Sequence, residues 1–236
     1  MKKLNVAVIG ASGRMGQEVL QAILQDPVTE PSLGIVRKGK AEGFAKTGVG
    51  LQVTDFKKIN VVIDFSSIEN FEAVLSFCAQ NKLPLVTGTT GLSPEQLKAL
   101  QKFSKKAPIL WSPNMSLGVA AVAEALRAFS GLEGFDFQIE EIHHNKKKDR
   151  PSGTAVFLQK ELERQVKVRC PEPVSIRGGG VFGVHKIYAM AENETICIEH
   201  TALNRRLFAA GAVRAAKWLS MQTAGLYELK DVIGRK

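Results

Sequence analysis

Residues 4–16 read LNVAVIGASGRMG, and this stretch indicates how the first part of the chain folds. Its apolar start is typical of a buried β-strand, and the glycines that follow are typical of a tight turn into a helix. In such a turn Gly10 permits the sharp bend, Gly13 lets a pyrophosphate approach the backbone, and Gly16 lets the helix pack against the strand. The helix N-terminus then faces the anion. The stretch therefore predicts a dinucleotide-binding unit, with a glycine-rich turn that binds nothing as the alternative.

Short apolar strands continue to alternate with amphipathic helices up to about residue 130. Further strands are predicted at 33–36, 61–64, 85–87 and 109–111, and helices at 69–80 and from Pro94 onward. This order is typical of a parallel, doubly wound sheet, whose ligands bind beyond the carboxyl ends of the strands. Small or polar residues follow those ends: Phe65-Ser66-Ser67, Gly88-Thr89-Thr90-Gly91 and Ser112-Pro113-Asn114-Met115. We expect these turns and the glycine turn to line one crevice.

The pattern changes beyond residue 130. Alternating apolar and polar residues predict half-buried strands at 135–140, 174–177, 184–190 and 195–201, with helices at about 154–165 and 209–221. We therefore predict an α/β protein with two domains. Residues 1–114 and 205–236 form a Rossmann-type doubly wound parallel sheet that binds a dinucleotide. Residues 115–204 form an inserted α+β domain with a mixed or antiparallel sheet, which binds substrate and forms oligomers, and closure of the two domains would exclude water.

Residues 141–154 read EIHHNKKKDRPSGT and form the second informative stretch. Two imidazoles, three lysine ammonium groups and a guanidinium precede a Ser-Gly-Thr that can begin a helix. Cationic donors together with free backbone N–H groups are suited to a small molecule that carries carboxylates. A solvated basic loop is the alternative.

The residues after the second predicted strand bear on the choice of cofactor. An acidic side chain usually binds the ribose 2′-hydroxyl there, but this chain has Arg37 and Lys38 and no carboxylate. These cations would pair with a 2′-phosphate. The sequence therefore predicts NADPH as the preferred cofactor, with use of both NADPH and NADH as the alternative.

The composition indicates a globular protein that has no nucleic-acid or membrane partner. The chain has 236 residues, a net charge of +9, 44% hydrophobic residues and 23% charged residues. Outside residues 146–150 the positive charges are scattered, and two Trp and two Tyr offer little stacking surface, so we expect no nucleic-acid partner. No apolar run is long enough to span a membrane. The three cysteines are far apart and form no metal-ligand pattern, so we expect no metal and a cytoplasmic location.

Several motifs occur together in an order that resembles a known family. They are residues 10–16, Ile63-Asp64-Phe65, residues 88–91, residues 143–154 and residues 205–214. From Val6 to about Val232 the chain resembles the 4-hydroxy-tetrahydrodipicolinate reductase family of the diaminopimelate and lysine pathway. The resemblance implies an oxidoreductase that reduces 4-hydroxy-tetrahydrodipicolinate, a dicarboxylate, to tetrahydrodipicolinate with loss of water, using NAD(P)H.

The resemblance also implies roles for individual residues. His143 and Lys147 would be the catalytic pair that handles protons, and His144, Gly153 and Thr154 would hold the substrate. The cofactor-binding residues implied in this way are Gly10, Ala11, Ser12, Gly13, Arg14, Met15, Arg37, Gly88, Thr89, Thr90, Ser112, Pro113, Asn114 and Met115. We expect a homo-oligomer, because the alternating strands of the second domain leave a sheet face for burial between subunits. The oligomer that we expect is a tetramer.

Other functions remain open at this point. A regulator that binds NADP without turnover would not need a dicarboxylate pocket, and a basic nucleic-acid binder would show salt-dependent DNA binding. A reductase of another imino or keto acid would keep the same enzyme class. His185 and His200 lie on predicted strands, where structural or surface roles are favoured.

Overall fold

A computed structural model describes residues 3–35 and 59–234. In chain order the helices and strands are β1 (Leu4–Ile9), α1 (Arg14–Gln25), β2 (Thr29–Ile35), β3 (Val61–Asp64), α2 (Phe71–Gln80), β4 (Leu85–Thr87), α3 (Pro94–Ser104), β5 (Pro108–Trp111), α4 (Leu117–Ala125), β6 (Asp136–His143), α5 (Gly153–Glu163), β7 (Val174–Arg177), β8 (Gly183–Met190), β9 (Thr195–Ala202), α6 (Arg206–Leu219), β10 (Gly225–Tyr227) and α7 (Leu229–Ile233). The chain divides into two compact units, Met1–Met115 with Arg205–Lys236, and Ser116–Asn204.

The first unit is built on a six-stranded parallel sheet in the order β10-β5-β4-β3-β1-β2. All four residues of β3 are buried, as expected for a central strand that is covered on both faces. The strand order reverses between β1 and β3, which makes this the switch point where ligands bind in such sheets. The doubly wound parallel sheet predicted from the sequence is confirmed.

Short sequence motifs predicted the positions of most helices and strands of this unit correctly. The capping box that begins α3 is present, since Ser93 Oγ accepts from the Gln96 amide at 3.3 Å and Gln96 Oε1 accepts from the Ser93 amide at 3.0 Å. The second strand is longer than predicted and runs over Thr29–Ile35. It contains Pro31, which is tolerated because β2 is an edge strand and the register shifts opposite it.

The second unit is built on a four-stranded sheet in the order β7-β6-β8-β9. The β6–β7 pair is parallel and the β6–β8 and β8–β9 pairs are antiparallel, so the predicted mixed sheet is confirmed. One face packs against α4 and α5 in an apolar core that includes Val122, Phe137, Leu158 and Ile187. The opposite face, which we call the outer face, carries apolar side chains that are partly exposed.

Two elements of this unit differ from the prediction. The helix α4 was not predicted, because its sequence LGVAAVAEA is apolar on most sides and lacks an amphipathic period. The strand β6 continues to His143, beyond the predicted end at residue 140. The extension places Glu141 and His143 on the buried face with Phe137 and Ile139.

Candidate active site

The glycine turn after β1 has the geometry that its sequence predicts. Gly10 has a φ of +77°, and a Cβ there would lie 2.6 Å from the Phe65 carbonyl oxygen. A Cβ at Gly16 would lie 2.2 Å from the Gly10 carbonyl oxygen, so the first turn of α1 packs directly on the loop. Gly13 is the exposed N-cap of α1 and has no side chain that could accept a hydrogen bond from the backbone amides of the first helical turn. Those amides can bind an anion.

Asp64 at the end of β3 organises the neighbouring turns. It is fully buried and accepts hydrogen bonds from Thr87 Oγ1 at 2.9 Å, Thr89 Oγ1 at 3.0 Å and the Ser66 amide at 2.9 Å. Thr89 is therefore a buried structural residue of its turn, whereas Thr90 is exposed. Ser66 Oγ is buried and has no hydrogen-bond partner among the described residues.

Hydrogen bonds hold the turn after β5 at the same edge of the sheet. Trp111 Nε1 donates to the Thr89 carbonyl at 2.9 Å, and Ser112 Oγ donates to the Asn114 carbonyl at 2.6 Å. Met115 is buried, and Pro113 is exposed. The structure thus brings together at one sheet edge the predicted cofactor residues in turns 10–15, 88–90 and 112–115. Arg37 lies outside the described residues.

These features fit a dinucleotide. The turn at Gly10 and Gly13 has no side chains and allows the close backbone approach that a pyrophosphate needs. The exposed start of α1 and the Ser66 hydroxyl, which has no partner in the part of the chain that the structure describes, offer donors.

In the second unit, Glu141 is fully buried, and its carboxylate forms hydrogen bonds with three residues. Its Oε2 lies 2.5 Å from His143 Nδ1 and accepts from Arg177 Nη1 at 2.8 Å. Its Oε1 accepts from Arg177 Nη2 at 2.6 Å and from the Ser152 amide at 3.2 Å. Burial by itself would raise the pKa of Glu141, but the hydrogen bond from Arg177 foremost, followed by the contacts with Ser175 and His143, brings the pKa to about 2. The carboxylate is therefore ionised at neutral pH.

The sheet register places Glu141, His185 and His200 side by side, on the face of the sheet that also carries His143. Glu141 of β6 pairs with His185 of β8, which pairs with His200 of β9. The His143 and His185 rings meet edge to face with centroids 5.1 Å apart, and His185 Nε2 lies 3.1 Å from Ser152 Oγ. Burial, followed by the neighbouring histidines, lowers the pKa of His185 to about 3. His185 is consequently a neutral, buried neighbour of His143, which agrees with the structural role favoured from the sequence.

His143 is buried, and its pKa is lowered. Burial is the main cause; the hydrogen bond and charge of Glu141 oppose it, and the positive charges of Lys147 and Arg177 add to it. Because ionised Glu141 only accepts, Nδ1 carries the ring proton in the neutral form. The lone pair is then on Nε2, at the ring edge that faces Gly183.

The three lysines of the loop between β6 and α5 differ in how far they are exposed. Lys147 Nζ pairs with Asp149 Oδ2 at 2.9 Å, and its side chain is 23% exposed, while Lys146 and Lys148 are exposed. The backbone carbonyl of Asp149 accepts from Arg177 Nη2 at 2.6 Å, so the same guanidinium contacts Glu141 and this loop. The structure therefore joins Lys147 to the His143 cluster through Arg177.

The predicted substrate residues lie at the end of this loop. Ser152 caps α5, because its Oγ accepts from the Ala155 amide at 3.2 Å, and Gly153 and Thr154 form the first helical turn. The amides of such a turn can bind a carboxylate. His144 has a buried Nδ1 without a hydrogen-bond partner among the described residues.

Sequence reasoning missed the groups that hold this site together. Glu141 stands two residues before His143, and on a strand that spacing places both on one face, so a longer predicted β6 would have found it. Arg177 depends on the parallel pairing of β6 with β7, where it lies opposite His143. Nothing local in the sequence indicates that pairing.

Comparison with known proteins agrees with both halves of the chain. The family model described as dihydrodipicolinate reductase, N-terminus, matches residues 4–115, and the one described as dihydrodipicolinate reductase, C-terminus, matches residues 115–233. This chain belongs to the dihydrodipicolinate reductase family. The match covers nearly the whole chain, so the resemblance in the sequence motifs is confirmed.

Individual members of the family extend this result. The 4-hydroxy-tetrahydrodipicolinate reductase of Bdellovibrio bacteriovorus is 50% identical over 233 residues, which cover 99% of this chain and 97% of that protein. The protein of the same name from Anaplasma marginale is 36% identical and covers 98% of this chain and 99% of its own length. A dipicolinate-bound dihydrodipicolinate reductase from Paenisporosarcina sp. TG-14 shares the fold, with a TM-score of 0.83, 21% identity and coverage of 97% and 99% of the two chains.

The part of the chain that the structure describes contains neither a candidate metal site nor a candidate membrane-spanning helix. Across residues 3–35 and 59–234, no group of three or more His, Cys, Asp or Glu side chains could hold a metal ion. No helix in the same part of the chain has the length and apolar character needed to cross a membrane.

Proposed function

We propose that this member of the dihydrodipicolinate reductase family reduces 4-hydroxy-tetrahydrodipicolinate to tetrahydrodipicolinate with NAD(P)H, in diaminopimelate and lysine biosynthesis. The observation that carries the proposal is the cluster in which Glu141 and Arg177 join His143, the Lys147 loop and the start of α5. A dicarboxylate ring needs anion-binding amides and a proton donor close together, and this cluster supplies both. A regulator that only binds the cofactor has no use for it.

The first unit provides the cofactor site in this proposal. The turn at residues 10–15 binds the pyrophosphate through backbone amides, and the turns at 88–90 and 112–115 bound the same sheet edge. When bound, the reduced nicotinamide supplies the hydride.

The second unit provides the substrate site. Gly153 and Thr154 at the start of α5 hold one carboxylate, and His144 contacts the substrate. The overall change adds one hydride and one proton to the substrate and releases one water. Lys147, an ammonium group with three donors, delivers the proton, and His143 orients or relays through Nε2.

We further propose that NADPH is preferred over NADH. The strand β2 ends at Ile35, level with Ile9 at the end of β1, and Arg37 and Lys38 follow in the sequence without a carboxylate. Two cations at this point of the chain favour a 2′-phosphate over an unmodified ribose.

We also propose a homo-oligomer, specifically a tetramer, that buries the outer face of the second sheet. Val174 and Ile176 of β7 are 49% and 42% exposed there, and Ile142 lies beside Ile176 in the register. Clustered apolar side chains on a sheet face favour burial against another subunit. Light scattering tests this point, since a monomer at micromolar concentration would contradict it. Free cysteines, two of them buried, support a cytoplasmic location.

The function is tested by supplying the aldol product of pyruvate and aspartate semialdehyde together with NADPH. We expect loss of the reduced-nicotinamide absorbance only when both are present. In a parallel assay, another imino or keto acid replaces the aldol product. Oxidation of NADPH with that compound, and not with the aldol product, would identify a reductase of a different substrate. Binding of NADPH, seen by fluorescence, without oxidation in the presence of the aldol product would identify a regulator instead.

A further inference from the structure

We propose that Glu141 and Arg177 are positioning residues for the reaction: together they hold the His143 ring in a single tautomer and fix the Lys147 loop and the start of α5 relative to that ring. The proposal rests on the function given above only for the role of His143. Its structural part concerns contacts that exist without substrate.

Glu141 determines which nitrogen of the His143 ring carries the proton. His143 Nδ1 lies 2.5 Å from Glu141 Oε2, and the carboxylate is ionised and fully buried. A buried carboxylate can only accept, so it selects the form of the imidazole with the proton on Nδ1 and leaves Nε2 to act. Without this partner, both tautomers of a neutral histidine would be populated.

Arg177 fixes the orientation of the Glu141 carboxylate. Arg177 donates to both oxygens of Glu141, and its side chain is only 3% exposed. This two-point contact fixes the plane of the carboxylate, and with it the direction from which His143 is held. Arg177 Nη2 also donates to the Asp149 carbonyl, which belongs to the loop that carries Lys147.

Glu141 also holds the start of helix α5. Glu141 Oε1 accepts from the amide of Ser152, and Ser152 Oγ then caps α5 and contacts His185. One carboxylate thus connects the proton-handling ring, the lysine loop and the amides proposed to bind the substrate. A displacement of Glu141 would move all three together.

The test compares the full-length enzyme with Glu141→Gln, which keeps the shape of the side chain and removes its charge. The groups that face His143 are Glu141 from its own strand, Arg177 from β7, His185 from β8 and Lys147 from the loop. Once Glu141 is neutral, burial and the two positive charges act on His143 without opposition. We expect its pKa, followed by NMR of the ring, to fall further, and the ring ¹⁵N shifts to show a mixture of tautomers.

The kinetic expectation follows from the same geometry. We expect kcat of Glu141→Gln to fall on the order of 10²-fold, as is typical when the partner that orients a catalytic histidine is lost. We expect KM for NADPH to stay within about twofold of the wild-type value, because the cofactor residues are in the other unit. Glu192→Gln is the matched control: it removes the same charge from an exposed position after the far end of β8.

Arg177→Lys provides a second variant, should Glu141→Gln fail to fold. It keeps the positive charge but loses the two-point contact and the bond to Asp149. We expect the His143 tautomer to be retained and kcat to fall on the order of 10-fold, because the loop is less well placed.

The proposal is overturned if Glu141→Gln keeps the wild-type tautomer, His143 titration and kcat, or if Arg177→Lys has wild-type kcat. Failure of the proposed function gives a different result. In that case the wild-type enzyme does not oxidise NADPH with the aldol product, while the ring NMR of His143 still reports whether Glu141 sets its tautomer.

Discussion

Gly183 of β8 offers a direct test of whether the Nε2 edge of His143 matters. A Cβ at this position would lie 3.0 Å from His143 Nε2 and 3.4 Å from Cδ2. Ordinary contacts begin at 3.4 Å, so the Gly183→Ala variant forces Nε2 away by 3.4 − 3.0, or about 0.4 Å. Glu141 holds the opposite side of the ring at 2.5 Å, so the ring cannot retreat without disturbing that contact.

The expected effects on catalysis and on stability differ. A displacement of 1 Å can cost about 10²-fold in rate, so a shift of about 0.4 Å should lower kcat on the order of 10-fold. Alanine is more favourable than glycine in a strand by about 0.5–1 kcal/mol, which offsets the strain of the tight contact. We therefore expect the free energy of unfolding to change by less than about 1 kcal/mol.

Steady-state kinetics and urea denaturation of Gly183→Ala measure the two quantities separately. Gly131→Ala is the control, because a Cβ there meets no atom of the described residues within 4 Å and the residue belongs to the same unit. If Gly183→Ala keeps kcat within twofold of the wild-type value, the reasoning that places Nε2 of His143 at the reaction is refuted.

Three further predictions concern the lysine loop, the cofactor and pH. Lys147→Ala should lower kcat by orders of magnitude while NADPH binding, measured by fluorescence, survives; unchanged turnover would remove Lys147 from the mechanism, and Lys167→Ala, at an exposed site, is the control. Arg37→Asp should raise KM for NADPH more than KM for NADH, and an equal effect on both would dismiss the 2′-phosphate argument. The pKa of His185 is about 3 in the folded state, whereas an unperturbed histidine has a pKa of 6.5, so the unfolded state binds more protons between these values. Stability should therefore decrease as pH falls from 6.5 toward 3, and His185→Gln should flatten that part of the unfolding curve; an identical slope in the variant would contradict the assignment.

The parts of this protein that could be predicted from its sequence are those that local chemistry specifies. A positive φ at Gly10 and the close packing at Gly16 follow from residues next to each other in the chain, as does the Ser93 cap of α3. The roles assigned to His143 and Lys147 came from a family resemblance and stay predictions. The edge strand β2 was predicted too short because Pro31 weakens a strand pattern.

The contacts around Glu141 could not be predicted for a different reason. They depend on which strands pair and in which register, and sequence periodicity does not give strand order. The parallel alignment of His143 with Arg177, and the antiparallel alignment of Glu141 with His185, bring together residues that are 34 and 44 positions apart. Only the folded sheet shows that they form one site.

The physical cost of that arrangement indicates why it exists. Along β6, the buried face changes from Phe137 and Ile139 to Glu141 and His143, so the sheet has an apolar half and a polar half. Burying a carboxylate and a guanidinium costs several kcal/mol per ion, and apolar residues of similar volume are often as stable or more stable at such sites. Stability therefore does not explain the Glu141–Arg177 pair. A requirement to hold His143 in one orientation does, because an ionised acceptor with a fixed plane is what a single imidazole tautomer needs.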